Sequence, residues 1–221
     1  MFDITKLALK IPNFLTDKEC QELIQEYEQR SNYSLKEQSK NYHTDKIEQS
    51  SFDVVNLIPK TKNFNFIKQK TKKAIEIYIN YLSQPKFFFT DSLKQNLRFS
   101  HSYRIMKYSI GSNIHAHSDH DIGIYGSISF NLNDDYEGGE FKFFNKNHTV
   151  SLRKGDALIF PADYFWVHEI TPVTKGNRYS INSFICSYPY NVLRSINNLA
   201  RAVGNDYFQQ TNENELLGPY N

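Results

Sequence analysis

Cysteine, tryptophan and methionine are scarce in this sequence: two, one and two copies among 221 residues. Cys20 and Cys186 lie far apart and neither belongs to a CxxC pair, so a thiolate zinc site is not expected. A single disulfide is compatible with them; two buried thiols in a reducing compartment is the simpler reading. No apolar run approaches the roughly 20 residues of a membrane span. The start, MFDITKLALKIPNF, has no basic segment followed by an apolar one, so no signal peptide is read there. A soluble, cytoplasmic protein is the expectation. An excess of one charge is also missing: a net charge of +2 offers no broad basic face for nucleic acid. What is plentiful is aromatic, with 17 Phe and 15 Tyr, enough to pack one domain of this length and to exclude disorder as a general description.

Helical patterning comes first along the chain. Thr16 with Glu19 forms a capping box, and Cys20, Leu23, Ile24 and Tyr27 follow at helical spacing. Residues 31–50 are polar and unpatterned, and read as a loop carrying Tyr33 and Tyr42. A second helix is expected over 64–83, with an apolar stripe from Phe64 through Ile67, Ala74, Ile75, Tyr78 and Ile79 to Leu82, ended by Pro85. From about 97 to 188 the period becomes strand-like. Candidate strands are 98–108, 113–117, 124–132, 139–145, 148–152, 156–160, 166–171 and 178–187, separated by turn signals such as Gly138-Gly139 and Lys154-Gly155. Short strands between tight turns suggest a sandwich or barrel, a jelly roll among the options. The chain thus divides into an N-terminal helical support region (1–96), a β core (97–188) and a C-terminal helix with a fraying tail (189–221). Together they form one α+β unit.

Two imidazoles and one carboxylate on an octahedral face suit non-haem Fe(II) and leave three positions open. The short signature His-x-Asp occurs twice, as His43-Thr44-Asp45 and His117-Ser118-Asp119, and about one His-x-Asp/Glu triplet arises by accident in a chain like this. The first lies in the polar 31–50 loop, without rigid support. The second ends a strand, where residues i and i+2 share a face. His168 opens a later strand, and Arg178, Ser180 and Asn182 alternate along the next one, so they too share a face. A guanidinium beside a hydroxyl suits the bidentate grip of a carboxylate. Together these residues make a site for a divalent metal and a dicarboxylic acid.

Several stretches then fall into one order: Ile11-Pro-Asn-Phe-Leu-Thr-Asp-Lys-Glu-Cys20, Tyr108-Ser-Ile-Gly111 before His117-Ser-Asp119, Ile128-Ser-Phe-Asn-Leu-Asn133 and Tyr136-Glu-Gly-Gly-Glu-Phe141. Lys154-Gly-Asp-Ala-Leu-Ile-Phe-Pro161 and His168-Glu-Ile-Thr-Pro-Val-Thr-Lys-Gly-Asn-Arg178-Tyr-Ser180 continue it. Residues 103–188 resemble the 2-oxoglutarate/Fe(II)-dependent oxygenases, specifically the prolyl 4-hydroxylase-like branch. The resemblance implies a double-stranded β-helix, a jelly roll, backed by the N-terminal helices. It matches His117, Asp119 and His168 to the iron ligands and Arg178 to the residue that pairs with the distal carboxylate of 2-oxoglutarate. Tyr108 matches a co-substrate hydrogen-bonding tyrosine, a core aromatic being the equal alternative. Asn131 and Ser180 match further co-substrate contacts, against a purely structural strand role. No catalytic side chain beyond the metal ligands is implied.

The implied reaction consumes 2-oxoglutarate and O2, releases succinate and CO2 and hydroxylates a C–H bond, with ascorbate as reductant. A prolyl residue in a peptide or protein is the expected substrate; a small molecule such as a free amino acid is the alternative, and an inactive jelly-roll binding module a third. The connection 120–125 is shorter than the insertion many relatives carry there, and loop 31–50 could serve as a lid in its place. Phe184 stands where some relatives carry Trp and where nucleic-acid demethylases carry a second Arg, so nucleic acid is not an expected partner; nor is a membrane, for want of a long apolar run. His115 and His120 flank the motif, and Trp166 is either core or pocket wall. Oligomeric state is left open.

Overall fold

The structure is a computed structural model that describes residues 3–41, 44, 46–84 and 90–202. In chain order its first elements are β1 (Leu9–Ile11), α1 (Asp17–Gln29), β2 (Gln38–Asn41), β3 (Lys46–Gln49), β4 (Asp53–Asn56), α2 (Lys62–Ser83) and α3 (Thr90–Asn96). Then follow β5 (Phe99–Tyr108), β6 (Ile114–His117), β7 (Ile124–Asn131), β8 (Glu137–Gly138), β9 (Phe141–Phe143) and β10 (His148–Val150). The last are β11 (Ala157–Pro161), β12 (His168–Ile170), β13 (Val173–Lys175), β14 (Arg178–Cys186) and α4 (Tyr190–Ala202).

Helix α1 begins at its capping box, where the Thr16 hydroxyl accepts the Glu19 N–H and the Glu19 carboxylate accepts the Thr16 N–H. Thr61 caps α2 in the same way by accepting the Phe64 N–H. Both helices lay apolar stripes, Cys20, Leu23 and Tyr27 on one and Ile67, Ala74, Tyr78 and Leu82 on the other, against one face of a six-stranded sheet. That sheet has the antiparallel order β1-β11-β7-β14-β5-β4, and a four-stranded sheet of order β10-β9-β12-β6 faces it. The architecture is the α+β jelly roll expected.

Strand alternation sorts the large sheet into a dry side and a working side. Ile105, Ile128, Phe130, Ile159, Ile181 and Ile185 point to the helices. The next residues along, Met106 and Tyr108 on β5 and Leu158 and Phe160 on β11, point between the sheets with Phe141, Phe143, Trp166 and Ile170. On β7 and β14 this inner face is polar, bringing Ser127, Ser129, Asn131, Arg178 and Ser180 into the interior.

Differences from the sequence reading fall on short elements. Residues 31–50 are not an unpatterned loop: β2 and β3 pair as a hairpin beside β6, preceded by a short 3-10 turn at Ser31–Tyr33. Apart from Ile47 its residues are polar, so the sequence shows no apolar alternation with a period of two. The N-terminal region is not only helical, because β1 and β4 are the edge strands of the large sheet. At three and four residues they are too short to show alternation. The same holds for β13, and α3 is a further element that the sequence pattern does not announce. Pro85, Tyr42 and the tail from 203, Val203 included, lie outside the described residues. Both cysteines are free and buried, and burial pushes each thiol up to about 11, which leaves them unreactive. Among the described residues no helix is long and apolar enough to cross a membrane.

Candidate metal centre

Antiparallel pairing of β6 with β12 makes His117 and His168 direct partners across the small sheet, with ring centroids 4.4 Å apart. Asp119 follows β6 by two residues, and its carboxylate lies between them: Oδ1 is 3.3 Å from His117 Nε2 and Oδ2 is 3.7 Å from His168 Nε2. One ligand atom from each of the three lies within 4.8 Å of the others, the only such group of His, Cys, Asp or Glu among the described residues. His43 and Asp45, the competing pair, lie outside the described residues.

Backbone carbonyls orient both rings. His117 Nδ1 donates to the His115 carbonyl at 2.8 Å and His168 Nδ1 to that of Trp166 at 3.0 Å. Each Nε2 is therefore the free, lone-pair-bearing nitrogen that a metal needs. Burial holds the His168 pKa down to about 4, helped by the adjacent His117, so this imidazole is neutral near pH 7. Burial alone would raise the Asp119 carboxyl, yet the two imidazoles and a hydroxyl hold it well below the usual carboxylate range. That hydroxyl is Ser127 Oγ on β7, which donates to Asp119 Oδ2 at 2.5 Å. For His117, burial opposes the charged form but the Asp119 carboxylate prevails and raises its pKa.

A cavity of about 30 Å³ is lined by these three side chains together with Met106, Tyr108, Ser129, Phe141, Phe160, Ile170, Arg178, Ser180 and Asn182. Arg178 is 1% exposed. Its Nη1 donates to Ser180 Oγ at 3.3 Å, while Nε and Nη2 have no partner. Its guanidinium carbon lies 4.9 Å from the centre of the Tyr108 ring and 5.6 Å from that of Phe141. Among the described residues no carboxylate pairs with this buried cation, an arrangement that is costly unless an anion occupies the cavity beside it. At this volume a five-carbon diacid enters only as the lining side chains part. Gly139 makes room for the arginine: at φ +65° it takes a conformation that side chains disfavour, and a Cβ there would come 2.7 Å from Arg178 Cδ.

The other expected contacts divide. Tyr108 lines the cavity, but its hydroxyl donates to Met106 Sδ at 3.5 Å. Ser180 lines it as the partner of Arg178. Asn131 does not line it: its amide donates to the Asn133 and Leu152 carbonyls and accepts from the Tyr136 hydroxyl. Trp166 is core, packed on Phe143, Phe144 and Phe160. His115 is exposed, 3.6 Å from Glu48 of the hairpin, and His120 meets the exposed Tyr164 edge-on. Sequence reasoning misses Ser127 and Ser129, whose Oγ is buried without a partner at the cavity wall. The period of two that places Arg178 and Ser180 on a common face could have found them on β7.

Against known proteins, residues 103–186 match the family described as the 2OG-Fe(II) oxygenase superfamily. The rat (Rattus norvegicus) procollagen-lysine,2-oxoglutarate 5-dioxygenase 1 is 28% identical over 176 residues, covering 77% of this chain and 22% of that protein. The chain thus spans about a fifth of the length of that curated relative. A PKHD-type hydroxylase of Idiomarina loihiensis is 33% identical over 91 residues, 38% of this chain and 41% of its own. Among solved structures, the viral collagen prolyl hydroxylase of Paramecium Bursaria Chlorella virus-1 has a TM-score of 0.59 at 18% identity, covering 83% of this chain and 97% of that one. A Trichoplax adhaerens prolyl hydroxylase, solved with a hypoxia inducible factor peptide, has a TM-score of 0.62 at 15% identity, covering 87% of each. The structural likenesses speak to the fold, and the family match spans the strands that carry the ligands. Over residues 103–186 the chain is similar to the 2OG-Fe(II) oxygenase superfamily, and its fold is like that of the prolyl hydroxylases.

Proposed function

We propose that the protein is an Fe(II)- and 2-oxoglutarate-dependent dioxygenase that hydroxylates a C–H bond, most readily of a prolyl residue in a peptide or protein. The observation that carries this reading is the pairing, across one cavity, of the His117, Asp119 and His168 ligand set with a buried, unneutralised Arg178. The donor set fits Fe(II), and the orphaned guanidinium nitrogens fit a carboxylate. When bound, the metal and co-substrate supply the oxidation: O2 and 2-oxoglutarate become succinate, CO2 and the oxygen of a new hydroxyl on the substrate.

The chain's own residues bind, orient and exclude water. His117 and His168 present Nε2 because each Nδ1–H is held by a carbonyl. Asp119 contributes the negative charge and is kept ionised and aimed by Ser127. Arg178 takes the far carboxylate of the co-substrate, flanked by Ser180, while Tyr108 faces the guanidinium. Phe141, Phe160 and Ile170 keep the cavity dry, which strengthens each charge interaction inside it. Ascorbate is the expected reductant for protein oxidised without substrate.

The peptide reading draws on the prolyl hydroxylases among the structural relatives. A small-molecule substrate is the second reading, supported by the short 120–125 connection, on which Leu193 of α4 packs at Gly123, and by the open pocket that α4 and this connection share with Asp119. The test is incubation with Fe(II), 2-oxoglutarate and either a proline-rich peptide library or a metabolite extract. Succinate and a +16 product are followed by mass spectrometry. No succinate above a His168→Ala control, with iron shown to be bound, overturns the enzyme reading; which library yields the product chooses between the substrates.

A further inference from the structure

A second cavity meets the metal site from outside. It measures about 600 Å³, and its lining includes His101, Ser118, Asp119, Asp121, Phe184 and Arg194. Asp119 lines both cavities, so the outer one adjoins the candidate metal site. The volume suits a small molecule or a short peptide segment.

Helix α4 forms the far wall and is held there by specific contacts. Gly123, at φ +75°, lets Leu193 lie so close that a Cβ on the glycine would be 2.5 Å from Leu193 Cδ2. Leu193 is 3% exposed as a result. Asn197 donates to Asp121 Oδ2 at 3.3 Å, and Tyr190 lies 4.9 Å from His101, ring to ring. Most polar groups of the lining are already engaged. Asp119 faces the metal ligands, and Asp121 accepts from Asn197 and from the Ile122 N–H. His101 Nδ1 bonds Ser102, burial lowers its pKa, and its Nε2 is left without a partner.

Arg194 is different: it is the only lysine or arginine in the lining, and no carboxylate pairs with it among the described residues. An arginine on an exposed helix is ordinarily solvated. This one, exposed on α4, shares the lining of a pocket with Asp119 of the candidate metal site, and a planar fork of donors is suited to a carboxylate. We propose that the outer pocket is the substrate subsite and that Arg194 there binds a carboxylate of the substrate. The inference rests on the oxygenase reading above and narrows it. The carboxylate is either that of a free amino acid or an acidic group beside the reacting residue of a peptide.

The test uses the full chain loaded with Zn(II), which is redox-silent, and saturated with 2-oxoglutarate to fill the inner cavity. Ligand-observed NMR then compares matched probes: L-amino acids against their amides, and proline-containing tetrapeptides with aspartate against asparagine next to the proline. The expected result is that an acid binds at least tenfold tighter than its neutral partner. Arg194→Gln removes that gap and Arg194→Lys keeps part of it. The arm that shows the gap identifies the source. Absence of any acid preference, or a preference that survives Arg194→Gln, overturns the proposal. Affinity for 2-oxoglutarate and succinate release without added substrate are measured alongside; their loss counts against the oxygenase reading itself and not against Arg194 alone.

Discussion

Ser127 Oγ donates a hydrogen bond of 2.5 Å to Asp119 Oδ2, from the fully buried inner face of β7 to the carboxylate that both ligand histidines approach. Each carboxylate oxygen thus has a defined neighbour, and the ligand cannot rotate freely. Ser127→Ala should therefore weaken Fe(II) or Co(II) binding by roughly 10-fold or more, as loss of an outer hydrogen-bond partner commonly does. Ser127→Thr should retain most of the affinity. Metal titration followed by the Co(II) absorption bands reads the effect without turnover, and equal affinities in all three proteins would show that the hydroxyl has no positioning role.

Arg178 carries a buried charge with two unpartnered nitrogens. Arg178→Met should raise the dissociation constant for 2-oxoglutarate roughly 100-fold, about 3 kcal/mol, the scale of a lost charge-assisted pair. Iron affinity should change little. With no 2-oxoglutarate present the variant should melt no lower than the parent, because removing an unneutralised buried cation relieves desolvation. Equal loss of iron and co-substrate in calorimetric titrations contradicts the assigned role.

Gly139→Ala tests the room made for that arginine. The added Cβ meets Arg178 Cδ at 2.7 Å from a backbone at φ +65°. Strain of about 1–3 kcal/mol is expected. Thermal unfolding should show the loss of stability, and 2-oxoglutarate binding should weaken with it as the guanidinium is displaced. A variant with unchanged stability and binding would mean that the loop simply shifts.

His168 sets a pH dependence. Its pKa is about 4 in the folded chain against 6.5 for an unperturbed histidine, so the unfolded chain binds a proton that the folded one refuses. Its stabilising contribution is complete above about 6.5 and is lost as pH falls toward 4. His117, with a raised pKa, acts in the opposite sense: its contribution is present below 6.5 and lost as pH rises through the raised value. The metal-free protein should therefore lose melting temperature between pH 6.5 and pH 4, with a smaller slope in His168→Gln. Metal affinity should begin to fall at higher pH, as His117 protonates through its raised value, and keep falling toward 4, since ligand imidazoles must be unprotonated. A parallel slope in the variant assigns the effect to other groups.

Much of the fold and of the site is legible in the residue pattern. The capping box at Thr16 and Glu19, the stripe from Ile67 to Leu82 and the alternation of Arg178, Ser180 and Asn182 are local patterns, and each gives the right element or face. The hairpin β2–β3 reads as a loop because its residues are polar apart from Ile47, and β1 and β4 leave no signal because they are short. Asn131 lies on the right strand and face, but the carbonyls of Asn133 and Leu152 take its amide.

The amino-acid sequence by itself determined what depends on near neighbours: where helices start, which strand faces are apolar, and that His117 and Asp119 project together. Only the tertiary structure decided which distant residues complete the site. His168 joins His117 through strand register, Ser127 reaches Asp119 from another sheet, and Arg178 is buried with two guanidinium nitrogens unpartnered among the described residues. Arg194 reaches the outer pocket because α4 docks on Gly123. Register and sheet closure are collective outcomes of packing over the whole chain, and no short window of sequence encodes them.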